Sequence, residues 1–186
     1  DAFGAVIDAK SPYTAGHSNR VGHIAATLAE KVGMDDAHRR HLARAAMLHD
    51  VGKLGVSNTI LDKPGKLDDA EWTIMRDHAA RTAEILGRIG VFSDMALIAA
   101  SHHERLDGRG YPLGLDASNL AMETRIISVA DIFDALTADR PYRGAMPIEK
   151  AMSILDAESG GALDGDLVAV LRDAVETGTI RPSNEV

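Results

Sequence analysis

His49 and Asp50, in the run LHDVGK, set an imidazole and a carboxylate side by side with no spacer. On a regular helix neighbouring side chains diverge by about 100°, so the two converge on one ion only where the helix unwinds, as Gly52 allows. There Asp50 suits a carboxylate shared between two metals, and Lys53 stands as a point charge near a bound phosphate. The run SHHERLDGRGYP pairs His102 with His103 at a helix end. Both can then face a metal while the glycines fold the chain back, with Tyr111 and Pro112 as a wall. A glycine turn that serves shape alone is the plainer alternative. Asp131 and Asp134, in SVADIFDALTADRPYR, lie three apart and share a helix face. Carboxylates that close, among apolar neighbours, are costly unless cations or hydrogen bonds offset them. Asp131 reads as a metal ligand, and Asp134 as an acceptor behind it that orients a histidine or a bound water. Arg140 and Arg143 flank Pro141 and Tyr142 and read as a bidentate phosphate clamp, or more plainly as cations at a helix C-terminus.

The chain has eight histidines, most of them beside a carboxylate, a glycine or another histidine. His17, in GHSNRV, reads as a ligand. His23, six residues on, is turned roughly 240° around the helix and reads as a surface or supporting histidine. His38 and His41, in HRRH, read as a solvated charged face. His78, in RDHAARTAEIL, follows an apolar stripe and becomes a ligand only in the company of others. With no cysteine, any metal must be held by imidazole and oxygen, which favours iron or manganese over structural zinc.

Positioning these residues falls to helices, because the periodicity is helical almost throughout. The opening stretch AFGAVIDA already reads as helix. Val21, Ile24, Ala25, Leu28 and Val32 define a helix from Ala15 to Val32, stopped by Gly33. A second begins at Asp35 or Asp36 and carries Leu42, Ala45, Ala46 and Leu48 on one face to Gly52. KLGVSNTILDKPGKL reads as an irregular connection. Asp68 with Glu71 resembles a capping box that opens a helix through Trp72, Met75, Ala79 and Ile85 to about Leu86. Ser93 can cap another, reaching His102 and His103. A helix from Ala121 through Ile126, Ile127, Ala130 and Phe133 should end near Arg140, before Pro141. Two shorter ones begin near Pro147 and Asp164, and RPSNEV should fray. The fold class is all-α, a compact helical bundle with an Ala, Leu, Ile, Val and Met core.

At 186 residues the chain reads as one domain, able to bury roughly 70% of its unfolded surface. Its net charge of -8 gives no broad cationic surface for duplex DNA or anionic lipid. A small anionic substrate fits if metals supply local positive charge. No apolar run reaches the roughly 20 residues of a membrane span, and the expected location is cytoplasmic. The start at Asp1, inside a helical stretch, suggests a piece of a longer protein.

HSNRV, HDVGK, the histidine of HAARTAEIL, HHERLDGRGYP and RIISVADIFDALTADRPYR occur in the order and spacing of the HD-GYP family. This branch of the HD-domain metal-dependent phosphohydrolases is resembled from about residue 10 to residue 170. The resemblance implies an all-α bacterial domain that hydrolyses cyclic di-GMP to linear pGpG or GMP with two divalent metals. Iron or manganese is expected, with magnesium, zinc or nickel as alternatives. It implies ligation by His17, His49, Asp50, His78, His102, His103 and Asp131, with Asp50 bridging. It also implies that Lys53, Asp134, Tyr111, Arg140 and Arg143 touch the nucleotide or the attacking water. Paired ions would lower the pKa of a bridging water and bind a phosphoryl oxygen. The resemblance further suggests an upstream regulatory domain and a GGDEF diguanylate cyclase partner at the GYP loop.

Two other functions stay open. One is a cyclic di-GMP sensor without turnover; the other is a phosphohydrolase for another nucleotide, such as a deoxynucleoside triphosphate or guanosine tetraphosphate. Two positions depart from the family. Tyr13 stands where some members hold a third metal with glutamate, and Thr82 stands where the helix motif carries glycine.

Overall fold

The computed structural model describes residues 2–11, 16–139 and 144–182. Tyr13, Arg140, Arg143 and most of the RPSNEV tail lie outside the described residues. Nine helices account for the architecture among the described residues, and no strand accompanies them. They are α1 (Ala2–Asp8), α2 (His17–Lys31), α3 (Asp36–Leu48), α4 (Asn58–Leu61), α5 (Asp69–Gly87), α6 (Ala96–Ala100), α7 (Met122–Thr137), α8 (Ile148–Glu158) and α9 (Gly165–Glu176). Among the described residues no helix is long and apolar enough to cross a membrane.

Helix α2 is the central strut. Val21, Ile24, Ala25 and Leu28 are buried along it, and it packs against α3 on one side and α7 on the other. From α3 come Leu42, Ala45 and Ala46, and from α7 come Ile126, Ile127, Ala130 and Phe133, all in one apolar cluster. Met95 and Met152 complete it. Each Leu, Ile or Phe so placed contributes about 1.5–3 kcal/mol relative to exposure.

Capping chemistry fixes where the helices start. Asp35 accepts from the amides of Ala37 and His38, and Asp164 accepts from that of Asp166. The capping box at α5 is complete: Asp68 accepts from the Glu71 amide at 2.9 Å, and the Glu71 carboxylate accepts from the Asp68 amide at 2.8 Å.

Four expectations need correction. Helix α3 ends at Leu48 instead of Gly52, and the chain tightens into a 3-10 turn, Val51–Gly55. The stretch expected to be irregular holds the short α4, with Ser57 accepting from the Thr59 amide. Ser93 opens a 3-10 turn without capping it, its hydroxyl donating to the Gly90 carbonyl. Consequently α6 spans only Ala96–Ala100, and His102 and His103 sit in the turn beyond it. Helix α7 stops at Thr137, because Ala138 is already extended.

Candidate metal centre

The residues singled out in the sequence converge although they come from five places in the fold. His17 is the first residue of α2, His49 and Asp50 leave the end of α3, and His78 belongs to α5. His102 and His103 occupy the turn after α6, and Asp131 belongs to α7. Their ligand atoms form three overlapping triads, each within 4.8 Å: His17, His49 and Asp50; His49, His102 and Asp131; His78, His102 and His103. Asp50 lies at the middle. Its Oδ2 faces Nε2 of His49 at 3.4 Å and of His17 at 3.8 Å, while its Oδ1 faces Nε2 of His78 at 3.4 Å and of His102 at 3.8 Å. Asp131 Oδ1 lies 3.3 Å from His17 Nε2 and 3.7 Å from His49 Nε2.

Backbone carbonyls three residues earlier orient the rings. Nδ1 of His49 donates to Ala46 O at 2.6 Å, that of His78 to Met75 O at 2.6 Å, and that of His102 to Ala99 O at 2.7 Å. A carbonyl can only accept, so each Nδ1 carries a proton and each Nε2 is turned toward the centre, where it offers a lone pair whenever the ring is neutral. His17 reaches the same state through Asp134, its Nδ1 donating to Oδ2 at 2.7 Å. Asp134 is thus placed to orient the His17 ring. Arg20, one turn along α2, grips both Asp134 oxygens, at 2.7 and 3.1 Å. Neither Arg20 nor its role was inferred from sequence, although its i+3 spacing from His17 puts both on one face.

The centre has the donor chemistry of a divalent-cation site: imidazole nitrogens and carboxylate oxygens, without thiolates. His49 Nε2 and Asp50 Oδ1 are buried without a hydrogen-bond partner. Orphans of this kind are costly unless something meets them, and a cation would. The charges are also arranged for one. Burial keeps His78 and His102 below the ordinary imidazole pKa and pushes His103 down to about 3, leaving all three neutral and ready to ligate. Burial opposes charge at His49 too, yet the charges of Asp50 and Asp131 carry its pKa up to about 10. Desolvation works against ionised Asp50, but Lys53 and His49 hold it well below the usual carboxylate range. Lys53 Nζ donates to Asp50 Oδ2 at 2.5 Å.

Two glycines and a threonine set the local geometry. A Cβ on Gly52 would come within 1.9 Å of His78 O, so glycine is what lets α5 close on the His-Asp turn. Thr82, at the position of the family glycine, donates from Oγ1 to His49 O and accepts from Gly52 N, both at 3.0 Å. It ties the two sides of that contact together. A Cβ on Gly110 would lie 2.4 Å from Glu104 Cα and 2.6 Å from His103 O. The loop consequently folds flat onto the paired histidines, and the Tyr111 ring stacks on that of His103 at 4.7 Å. Pro112 stands exposed beyond it. Glu104, another residue that sequence reasoning passed over, is buried and accepts from the amides of Leu113, Gly114 and Leu115 at 2.6–3.1 Å.

Beside the centre opens a cavity of about 720 Å³, lined at the metal end by Lys53, His78, His103 and Tyr111 and farther out by Lys63, Lys66, Leu67 and Trp72. Trp72, expected to follow the apolar stripe of its helix, is 46% exposed on this wall. His23 and His38 are exposed and His41 is at the surface, outside the centre, as their sequence contexts indicate.

An all-helical frame that turns a His-Asp pair and four further imidazoles toward one interior point is the HD-domain design, and the HD domain family profile matches residues 2–167. The chain belongs to that family, in its HD-GYP branch. It is 53% identical over 174 residues to the 3'3'-cGAMP-specific phosphodiesterase 3 of Vibrio cholerae, covering 94% of this chain and 38% of that protein. It is 40% identical over 160 residues to the cyclic di-GMP phosphodiesterase response regulator RpfG of Xanthomonas campestris, covering 85% and 42%. Among solved structures, a cyclic GMP-AMP specific phosphodiesterase of Vibrio cholerae superposes with a TM-score of 0.60 at 49% identity, covering 94% and 39%. Bd1817, an HDG"Y"P protein of Bdellovibrio bacteriovorus, superposes at 0.73 with 21% identity, covering 90% and 53%, a likeness of fold. The chain spans about two fifths of the length of the curated relatives it matches.

Proposed function

We propose that the chain is the catalytic domain of a metal-dependent phosphodiesterase that opens a 3'3'-linked cyclic dinucleotide. The observation that carries this reading is Asp50, whose two oxygens face separate histidine pairs, the arrangement of a carboxylate that bridges two cations. His17, His49, Asp50, His78, His102, His103 and Asp131 would hold them. Two divalent ions, iron or manganese by the donor set, would there neutralise phosphoryl charge and make a nucleophile of water at neutral pH.

The chain's own groups supply the rest. Asp134, clamped by Arg20, keeps the His17 ring aimed at the centre. Lys53 sits between Asp50 and the cavity, where its ammonium can meet a phosphoryl oxygen as charge builds on it. Burial raises the Tyr111 phenol above its ordinary pKa, so it stays a neutral donor on the wall. Arg140 and Arg143, outside the described residues, are assigned to the substrate phosphates. Relatives act on two related substrates. The 53% identity to a 3'3'-cGAMP phosphodiesterase against 40% to a cyclic di-GMP phosphodiesterase favours 3'3'-cGAMP over the cyclic di-GMP expected from sequence.

The deciding experiment is chromatography of the products after each dinucleotide is incubated with protein loaded anaerobically with iron or manganese. Linear products are expected from 3'3'-cGAMP at the higher kcat/KM. Tight binding of both without cleavage would replace the hydrolase with a sensor.

A further inference from the structure

The metal-facing half of the cavity accounts for one phosphodiester, and a cyclic dinucleotide has a second phosphate and two bases. The outer half has chemistry that the metal centre leaves unused. Trp72 presents nearly half its surface to solvent on the cavity wall, although its helix has a buried face available. The Arg76 guanidinium lies 5.7 Å from the Trp72 ring centroid and 5.4 Å from that of Tyr111, so the three form one continuous wall running to His103. Two lysines line the same cavity. Lys63 pairs with Glu71 at 2.5 Å, whereas Lys66 has no acidic partner among the described residues, and neither has Arg76. An exposed aromatic on the cavity wall, with the Arg76 guanidinium against its ring and Lys66 on the same cavity, in a chain of net charge -8, matches a base and its phosphate. Every nucleobase offers a π-face to an aromatic ring, and a guanidinium can join the stack.

We infer that Trp72, Arg76 and Lys66 form a nucleotide subsite for the half of the substrate that is not cleaved, with Trp72 stacking on its base and the two cations holding its phosphate. The inference rests on the cyclic dinucleotide reading above. The subsite selects two-base substrates: it binds the remote nucleotide and leaves the chemistry at the metal centre untouched.

Trp72 is the chain's one tryptophan, so its fluorescence reports on the subsite alone. Titrating metal-free protein with 3'3'-cGAMP or cyclic di-GMP should quench that emission saturably, and AMP or GMP should do so only weakly. Trp72→Ala should raise KM for the cyclic dinucleotide about ten-fold or more, the loss expected of one base stack. Hydrolysis of bis(p-nitrophenyl) phosphate, which has no base, should continue at the wild-type rate. Lys66→Gln should raise KM several-fold and flatten its salt dependence. Unchanged KM in Trp72→Ala, or equal losses on both substrates, overturns the subsite while leaving the phosphodiesterase in place. A wild-type chain that cleaves bis(p-nitrophenyl) phosphate but no cyclic dinucleotide overturns the substrate reading, and the subsite with it.

Discussion

Asp50 separates the functional and structural contributions of a single side chain. Replacing it with alanine removes the carboxylate whose two oxygens face separate histidine pairs, and turnover of the cyclic dinucleotide should be abolished while far-UV circular dichroism stays helical. A normal rate with unchanged metal content would refute the bridging role. Thr82 offers the converse case, a residue without a ligand atom in the centre whose hydroxyl meets two buried backbone groups of the His-Asp turn. Thr82→Val keeps the shape and strands both groups, at a cost of about 1–3 kcal/mol for each buried group left unpaired. We expect a lower melting temperature and weaker manganese affinity in the valine variant, with Thr82→Ser restoring both. Calorimetric titration that gives identical affinities for all three proteins would reduce Thr82 to a packing residue. Asp134→Asn keeps the size but weakens the bond that aims His17, and losses of supporting partners of this kind typically cost 10–100-fold in metal affinity.

The GYP loop is held from both sides, by the close approach of Gly110 to Glu104 and by the Glu104 carboxylate under three successive amides. Gly110→Ala must push the loop off His103, because the atoms a Cβ would meet are backbone. The expected signature is a KM for the dinucleotide raised by an order of magnitude or more, with metal content measured by emission spectroscopy near the wild-type level. Such contacts are also where sequence reading runs out. The α5 start was legible because Asp68 and Glu71 meet three residues apart, and α2, α3 and α7 because their apolar stripes are long. Helix α4 escaped notice because four residues carry no period. The end of α6 did as well, since the turn that frees His102 and His103 is fixed by packing against a loop that returns several residues later. The residue types that converge, and their order along the chain, could be read directly. The parts of Thr82 and Arg20 could not, because their partners lie 30 to 114 residues away. The helical position of Trp72 suggested burial, and only the folded cavity reveals its exposure.

Folding brings these elements together around a polar interior that the apolar cluster surrounds. Helices α2, α3 and α7 bury their stripes against one another while their ends and inner faces surrender His17, His49, Asp50, Asp131 and Asp134 to the same space. Without a cation, the three carboxylates Asp50, Asp131 and Asp134 are balanced among the described residues by Lys53, Arg20 and protonated imidazoles, and His49 Nε2 and Asp50 Oδ1 have no hydrogen-bond partner. The unfolded chain has no such pocket, so a divalent metal held there would bind the native state preferentially and should stabilise it by mass action. At a free concentration one hundred times its Kd, one site is worth about 2.7 kcal/mol. For a domain of this size that corresponds to a rise of roughly 5–10 °C in melting temperature. Thermal unfolding of chelator-treated protein, repeated with manganese added, measures the effect directly. The same titration on Asp50→Ala supplies the control: its rise should shrink to a small fraction of the wild-type value. An equal rise in both proteins would mean that manganese binds elsewhere on this acidic surface, and the interior cluster would then owe its arrangement to ion pairs alone.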